Sequence, residues 1–500
     1  MDLFFEKDEK VEGFPLIMGY IGMITIFIGI ICLIPLLTLL FYPEEMSQAK
    51  YFILPGVTSI LIGYFLYFFV RGKKRGRLKK NQDAIIILFT WAIAIFVCAV
   101  PFVLTGNYNF HQAIFETTSG FSTTGLSVVD VTKCSHIFFI HRSTMLFVGG
   151  VGLVLIMTSA MSDSHGMRLY NAEGHSDKLV PNLMTSARFI VLIYSGYILA
   201  GILLYVWFGM PLFDAINHSI ASVSTGGFST KAESIGYYNS LPIEIITIVL
   251  MILGTTNFFV HLLLLRGNFK KYLLHCETKL LIFILAFITP LLGSLFFIKF
   301  NLPWGESMRK SLFQIVSALS TTGFQTVDNF NNFSSSMLFI MIVLMLIGGG
   351  AGSTAGGIKQ YRVCLVFKSV IWAIKDQIFN NNFVRANSIN KYGINEKIQK
   401  SSENYVIIFT ITYLCIFAIG TFIFTLFGYS VEQAMFEFSS ALGTVGLSVG
   451  ITAYDAHPIV HWIGTIGMFL GRLEIYVVLL GIWKIYNDSK TKVVQYLEKK

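Results

Sequence analysis

Charged residues are scarce in this 500-residue sequence. Only 13% of the residues are Asp, Glu, Lys or Arg, whereas 54% are hydrophobic and only 11 are proline. An ordinary soluble domain carries about 25% charged residues, so this composition excludes a typical soluble globular protein. The sequence therefore predicts an integral membrane protein.

Cysteine is also rare, and sequence signs of enzymatic chemistry are missing. The six cysteines are scattered without C-x-x-C spacing, which argues against a disulfide framework and a zinc site. The sequence has no H-E-x-x-H motif, no pair of catalytic carboxylates on one predicted helix and no cysteine–histidine ligand set. We therefore expect neither an enzyme nor an organic cofactor in this chain.

Long apolar runs alternate with short basic loops. The first two runs, roughly 14–41 and 51–70, are each long enough to cross a hydrocarbon core about 30 Å thick. The net charge of +9 does not indicate nucleic-acid binding, because the basic residues, such as the run from Arg71 to Lys80, lie between predicted spans. Such loops face the cytoplasm. We therefore predict a multi-pass protein of the cytoplasmic (inner) membrane with both termini in the cytoplasm.

A short loop rich in threonine and glycine occurs four times, at intervals of 102, 96 and 123 residues. Its copies are Thr123-Thr124-Gly125, Thr225-Gly226-Gly227, Thr321-Thr322-Gly323 and Thr444-Val445-Gly446. A single copy could simply mark a turn between hydrophobic segments. Four copies in register, each with a threonine two residues before the glycine, predict a fourfold internal repeat.

Each repeat has the same predicted plan: a spanning helix, a segment of about ten residues, the Thr-Gly loop and a second spanning helix. The short segment cannot cross the membrane, so we interpret it as a re-entrant half-helix. Four such helices would direct the negative ends of their dipoles at the membrane centre, where they favour a cation. The glycines would allow backbone carbonyls to turn toward the ion path. The pattern predicts ten spans, four half-helices and one cation pore.

We therefore predict an all-α integral membrane fold, with four tandem helix–pore-loop–helix repeats around one central pore and an extra pair of transmembrane helices before them. The expected segments are 1–80 for the helix pair and its basic loop, 81–186, 187–276 and 277–402 for the first three repeats, and 403–500 for the fourth repeat with the C-terminal tail.

The second helix of the third repeat is interrupted by a glycine-rich segment. Each glycine within a helix costs up to about 1 kcal/mol relative to alanine, so we expect a mobile intramembrane loop below the Thr-Gly loops. Its residues are Gly348, Gly349, Gly350, Gly352, Ser353, Thr354, Gly356 and Gly357. Close helix packing through small residues is an alternative. A dinucleotide site is disfavoured, because no βαβ unit surrounds the segment.

Arg472 lies within the last apolar run, about 18 Å before the predicted boundary at Lys484. A charge at mid-membrane usually marks a functional site. We call the four Thr-Gly loops the filter and the last glycine of each loop a filter glycine. We hypothesise that Arg472 faces the pore beneath the filter as an electrostatic barrier to cations. The alternative is a structural tie to backbone carbonyls. Glu474 is only two positions away and therefore a poor partner for Arg472.

A polar residue stands nine positions before the filter glycine in every copy. These residues are Glu116, His218, Gln314 and Glu437. They either set the electric field at the pore or cap backbone groups behind the filter, and the sequence leaves both interpretations open.

Taken together, these residues resemble the superfamily of Trk, Ktr and HKT potassium transporters, and most closely the TrkH-type membrane subunit. The resemblance covers nearly the whole chain, through the four Thr-Gly loops, the stretch from Gly348 to Lys359 and Gly471-Arg472-Leu473-Glu474. It implies K⁺ as the transported ion at the filter residues, a homodimer of pores, and gating by the intramembrane loop with Arg472. It also implies control by a cytoplasmic nucleotide-binding ring subunit of the TrkA/KtrA type.

The resemblance leads us to expect potassium uptake across the cytoplasmic membrane through a channel-like selective pore. In the plant branch, a serine in place of the first filter glycine accompanies sodium selectivity, so Gly125 argues for potassium. The extra helix pair and Gly471-Arg472-Leu473-Glu474 look like the Trk branch, whereas the fourth loop looks closer to Ktr. This mixture leaves the branch and the partner's nucleotide open. The alternative function is a sodium- or proton-coupled potassium symporter, which would need a second ion site at discontinuous helices.

Overall fold

Most of the described elements are α-helices, as expected for long apolar runs that must satisfy their backbone hydrogen bonds internally in a membrane. The computed structural model describes residue 11 and residues 13–71, 81–152, 183–378 and 387–498. Three predicted features lie outside these ranges: the basic run after Arg71, the end of the first repeat after residue 152, and part of the basic segment between the third and fourth repeats.

The helices of the described ranges follow in chain order. They are α1 (Phe14–Leu33), α2 (Ala49–Phe68), α3 (Gln82–Leu104), α4 (Phe110–Phe121), α5 (His136–Val151), α6 (Leu183–Trp207), α7 (Leu212–Val223), α8 (Leu241–Thr255), α9 (Phe258–Leu265), α10 (Phe269–Leu274), α11 (Cys276–Phe300), α12 (Trp304–Leu319), α13 (Ser335–Ile347), α14 (Gln360–Ile378), α15 (Lys400–Leu426), α16 (Val431–Gly443), α17 (Pro458–Arg472) and α18 (Ile475–Glu498). Short 3₁₀ turns occupy Ile34–Leu40, Pro43–Gln48, Ser234–Tyr238 and Phe330–Asn332. An antiparallel hairpin joins β1 (Ser388–Lys391) to β2 (Ile394–Lys397).

Six helical segments of the described chain are long and apolar enough to cross a membrane. They are Phe14–Leu40, Pro43–Phe68, α3, Ala187–Trp207, α11 and α15. Two further pairs pass the same test together but are bent, by 112° between α8 and α9 and by 103° between α17 and α18. The chain is therefore a multi-pass membrane protein.

The two bent pairs correct the sequence prediction, which placed a break only in the third repeat. The second helices of the second and fourth repeats are broken as well. At the first break Asn257 caps α9 by accepting a hydrogen bond from the Phe259 amide at 2.7 Å. At the second break Glu474 adopts a left-handed conformation with φ of 58°, which an α-helix cannot continue through.

The N-terminal helix pair packs through glycines. Gly22 lies against the backbone of Gly63, and Gly29 against that of Gly56, so closely that an added Cβ would approach the facing carbonyl oxygen at 2.8 and 2.7 Å. Small residues allow this approach of backbones, which is how helices associate where lipid removes the hydrophobic driving force. The pair packs on α3 and thereby on the first repeat.

The four short helices α4, α7, α12 and α16 each contact a helix of the preceding repeat. The second helix of each repeat packs against the short helix of the next, in the pairs α5 with α7, α8 with α12, α13 with α16 and α17 with α4. The last pair joins the fourth repeat to the first. The packing therefore closes into a ring.

Candidate functional site

The four short helices end in the same hydrogen-bonded cap. The threonine two residues before each filter glycine is left-handed, with φ of 54° at Thr123, 53° at Thr225, 57° at Thr321 and 53° at Thr444. In each copy the next amide donates to a carbonyl five residues earlier, at 2.8 to 3.0 Å. This is a Schellman motif, in which glycine is usual at the left-handed position. A β-branched residue there costs on the order of 1–3 kcal/mol, which indicates that the threonine side chain has a role.

The filter glycines bring neighbouring loops into backbone contact. All four have positive φ, between 63° and 98°. A Cβ added at Gly125, Gly227, Gly323 or Gly446 would collide with a carbonyl oxygen of the next copy, which belongs to Gly226, Thr322, Val445 or Thr124 respectively. Because the fourth copy meets the first, the four loops form a closed ring of backbone carbonyls.

A cavity of about 510 Å³, the outer cavity, is lined by all four filter glycines together with loop residues such as Asp130. Hydrogen bonds from the hydroxyl and amide of Thr132, helped by Lys133, hold the pKa of Asp130 below its ordinary value. This carboxylate is therefore ionised at neutral pH, and its charge attracts cations to the cavity.

The polar residues nine positions before the filter glycines lie buried behind the loops. Their contacts are Glu116 with Ser127 at 3.0 Å, His218 with Ser229 at 2.9 Å, Gln314 with Thr326 at 3.4 Å and Glu437 with Ser448 at 2.8 Å. Glu116 and Glu437 also accept the amides of Val128 and Val449. These are the contacts of the second interpretation, in which the side chains cap backbone groups behind the filter.

The glycine-rich segment is non-helical and lies directly against the filter threonines. The Thr354 hydroxyl is 3.0 Å from that of Thr225, and the Gly356 amide donates to the hydroxyl of Thr321 at 2.9 Å. A Cβ at Gly356 would collide with the hydroxyl of Thr444. Three of the four left-handed threonines therefore contact this loop, so the loop lies across the end of the filter opposite the outer cavity.

The other side of the loop is held by the break between α8 and α9 and by the start of α11. The Gly350 amide donates to Thr255 at 3.0 Å, and the Phe258 amide donates to Gly352 at 3.1 Å. Ala351 is held at both backbone atoms. Its amide donates to Glu277 at 2.8 Å, and its carbonyl accepts a bond from the Asn257 amide group at 2.5 Å.

The hairpin β1–β2 connects to these anchors through Tyr392. The Tyr392 hydroxyl accepts a hydrogen bond from Asn257 at 3.2 Å, and its ring stacks on His275 with centroids 5.0 Å apart. His275 in turn lies 3.2 Å from Glu277. Burial alone would lower the pKa of His275, but the hydrogen bond and the charge of Glu277 outweigh it and raise the pKa above its ordinary value.

Arg472 ends α17 at the bend before α18. Its guanidinium donates to the carbonyl oxygens of Gly149 and Gly150 at the end of α5. These are the bonds that the structural alternative requires. Glu474 pairs instead with Arg362 at 2.8 Å, in keeping with the expectation that it is a poor partner for Arg472.

A second cavity of about 770 Å³, the inner cavity, adjoins the glycine-rich loop at Ala351 and Gly352. Its wall includes Lys359, the hairpin and the start of α15. Among the described residues, no group of three or more His, Cys, Asp or Glu side chains could hold a metal ion. The oxygens at the ring are backbone carbonyls and threonine hydroxyls, and backbone carbonyls are the groups that line the selectivity filters of potassium channels.

A comparison with protein families agrees with this geometry. The family model described as "TrkH: Cation transport protein" matches residues 49–492, which is most of the chain. The chain belongs to the TrkH family.

Several known proteins are similar to this chain over nearly their whole length. An uncharacterised cation transporter of Methanocaldococcus jannaschii is 32% identical over 484 residues, which cover 96% of each chain. The Trk system potassium uptake protein TrkH of Escherichia coli is 29% identical over 488 residues, covering 93% of this chain and 98% of the relative. The crystal structure of the potassium transporter TrkH from Vibrio parahaemolyticus superposes with a TM-score of 0.83 at 23% identity, covering 94% of this chain and 98% of that one. At this identity the structure supports the TrkH fold alone.

The sequence analysis missed several residues of this TrkH-family site. Arg142, which lines the outer cavity, was overlooked although it is an arginine in an apolar helix, the same signal that drew attention to Arg472. Glu277 and Tyr392 carried no signal, because their contacts, with Ala351 and Asn257 respectively, join residues 74 and 135 positions apart along the chain.

Proposed function

We propose that this chain takes up potassium across the cytoplasmic membrane through the ring of filter loops. The observation that carries the proposal is the closed ring, in which every filter glycine lies against the carbonyl of the next copy. The potassium uptake proteins among its relatives support the choice of ion. In this proposal K⁺ is the cargo, and it moves down its electrochemical gradient.

The oxygens of the ring suit a large alkali cation. Carbonyls of Thr124, Gly226, Thr322 and Val445 would coordinate K⁺ in place of water. Below them, the buried hydroxyls of Thr123 and Thr444 have no hydrogen-bond partner among the described residues. An unpaired buried hydroxyl costs free energy. These two oxygens could therefore act as ligands for a passing cation.

We further propose that the glycine-rich loop is the gate. Its bonds to Thr225 and Thr321 hold it across the filter. Beneath the filter, the positive charge of the Arg472 guanidinium repels cations. Opening requires the loop to leave these partners. Control by a cytoplasmic ring subunit of the TrkA/KtrA type, a homodimer and cytoplasmic termini belong to the same proposal.

A coupled symporter is the second candidate, because broken helices can hold a coupling ion. Both helix breaks are engaged by protein groups, however. Asn257 bonds to the loop, and Glu474 is paired with Arg362. This favours the uncoupled pore.

The test is ion flux into liposomes that contain only the purified chain, with K⁺ or Na⁺ gradients and no second ion gradient. We expect flux that favours K⁺, that rises in Arg472→Ala and that loses its preference in Gly323→Ser. A requirement for a co-ion gradient would favour the symporter. Absence of flux even in Arg472→Ala would contradict the transport proposal.

A further inference from the structure

A buried ion pair lies behind the first filter loop. Arg142 of α5 donates from Nε to Glu116 at 2.9 Å, with the two side chains 3% and 0% exposed. Burying charges costs several kcal/mol per ion, and replacing such a pair by apolar residues is often neutral or stabilising. Stability alone is therefore a poor explanation for this pair.

The guanidinium of Arg142 contacts two filter loops at once. In the first loop it donates to the hydroxyl of Ser127 at 3.0 Å. In the second loop it reaches the carbonyl of Ser229 at 3.5 Å and lies 3.9 Å from the ring centre of Phe228. Phe228 and Ser229 directly follow the filter glycine of the second copy. The planar, forked shape of arginine makes these simultaneous contacts possible.

The position equivalent to Arg142 can be assigned in the second and fourth repeats, and neither has an arginine there. Three glycines, Gly149, Gly254 and Gly471, each lie against the carbonyl four residues before a filter glycine. Counting seven residues back from them gives Arg142, Thr247 and Gly464. The fourth copy has a buried glutamate too, but Glu437 is satisfied by its own loop, including Thr452.

Neutral hydrogen bonds join the loop regions at the other three boundaries. They are the Gly236 amide with Gln325 at 3.0 Å, the Asn331 side chain with Val449 at 3.1 Å and the Gln112 side chain with Tyr454 at 2.7 Å. The loop contact between the first and second copies differs, because its link is a charged guanidinium oriented by a carboxylate. The charged pair at the next boundary, Arg309 with Glu244, joins the helices α12 and α8 and not the loops.

We propose that Arg142 is a positioning residue for ion selectivity. Oriented by Glu116, its guanidinium fixes the spacing of the first two filter loops, and with it the spacing of the carbonyls of Thr124 and Gly226. The inference rests on the proposed function as a selective pore. Without the forked contact the segment after Gly227 moves more freely, and a looser ring discriminates less between K⁺ and Na⁺.

The test compares two arginine-to-lysine changes, which keep the charge and remove the fork. Arg142→Lys is the variant. Arg309→Lys is the matched control, because Arg309 makes a bidentate pair with Glu244, at 2.6 and 2.8 Å, between α8 and α12. We expect the K⁺/Na⁺ permeability ratio to fall about tenfold in Arg142→Lys, equivalent to about 1.4 kcal/mol or one hydrogen bond, and to stay unchanged in Arg309→Lys.

A double variant, Glu116→Gln with Arg142→Gln, keeps the test informative if the single variant misfolds. It leaves no unpaired buried charge, yet it also lacks the contact with the second loop, so the same loss of selectivity is expected. An unchanged ratio in Arg142→Lys, or a wild-type ratio in the double variant, would show that the pair acts by charge balance and would overturn the proposal. A wild-type chain without K⁺ preference would instead contradict the proposed function itself.

Discussion

Gly446 and Gly450 separate two reasons for a glycine within one loop. Both have positive φ, 98° and 92°, which side chains rarely adopt. Only at Gly446 would a Cβ also collide with the next filter loop, at the carbonyl of Thr124, whereas nothing lies within 4 Å of a Cβ at Gly450. The two positions therefore share the conformational requirement and differ in the packing requirement.

Replacing each glycine by alanine tests which requirement the filter depends on. We expect Gly446→Ala to lower the K⁺/Na⁺ permeability ratio at least about tenfold, because the ring must open to admit the methyl group. Gly450→Ala should cost only about 1 kcal/mol of stability and leave the ratio unchanged. Reversal potentials in liposomes measure the ratio. Equal losses in both variants would mean that backbone conformation alone matters.

Repetition made the filter residues predictable. A threonine two before a glycine, seen four times, located Thr123 and its counterparts without any knowledge of contacts. The partners of Arg472 were not predictable in the same way, because they are backbone carbonyls of Gly149 and Gly150, more than 320 positions away. Backbone groups have no residue-specific signature, so sequence reasoning offered a barrier and a tie as alternatives and could not choose between them.

Among the elements, the helix breaks have different partners. The break at Asn257 faces the glycine-rich loop, and through Tyr392 it also contacts the hairpin β1–β2. The sequence predicted the third-repeat loop from its glycines, but not the bends in the second and fourth repeats. The residues at those bends, Asn257 and Glu474, make a cap and an ion pair that form only in the folded chain.

The hairpin should restrain the loop. Tyr392→Ala removes the hydroxyl that accepts a hydrogen bond from Asn257, whose amide group also donates to Ala351. It also removes the ring that stacks on His275. We expect basal K⁺ flux to rise severalfold, since a hydrogen bond and a ring stack of about 1 kcal/mol each are lost. Ile394→Ala is the control, because Ile394 is 68% exposed on the neighbouring strand. Equal flux in the two variants would separate the hairpin from the gate.

At the scale of the whole molecule, the ring orders the chain along one axis. The outer cavity is lined by the filter glycines, and the inner cavity adjoins the glycine-rich loop and the hairpin. The hairpin lies within the basic stretch between the third and fourth repeats, and basic segments stay on the cytoplasmic side. The two cavities should therefore open on opposite sides of the membrane, with the inner one in the cytoplasm.

Cysteine labelling tests this sidedness in intact cells. In a variant without the six native cysteines, Asp130→Cys places a thiol in the outer cavity and Ser402→Cys places one in the inner cavity. A membrane-impermeant maleimide added to spheroplasts should label only the first, and both should react once the membrane is opened, because the filter and loop between them exclude a reagent of that size. Labelling of Ser402→Cys in closed spheroplasts would invert the proposed topology, and with it the direction from which K⁺ meets the filter.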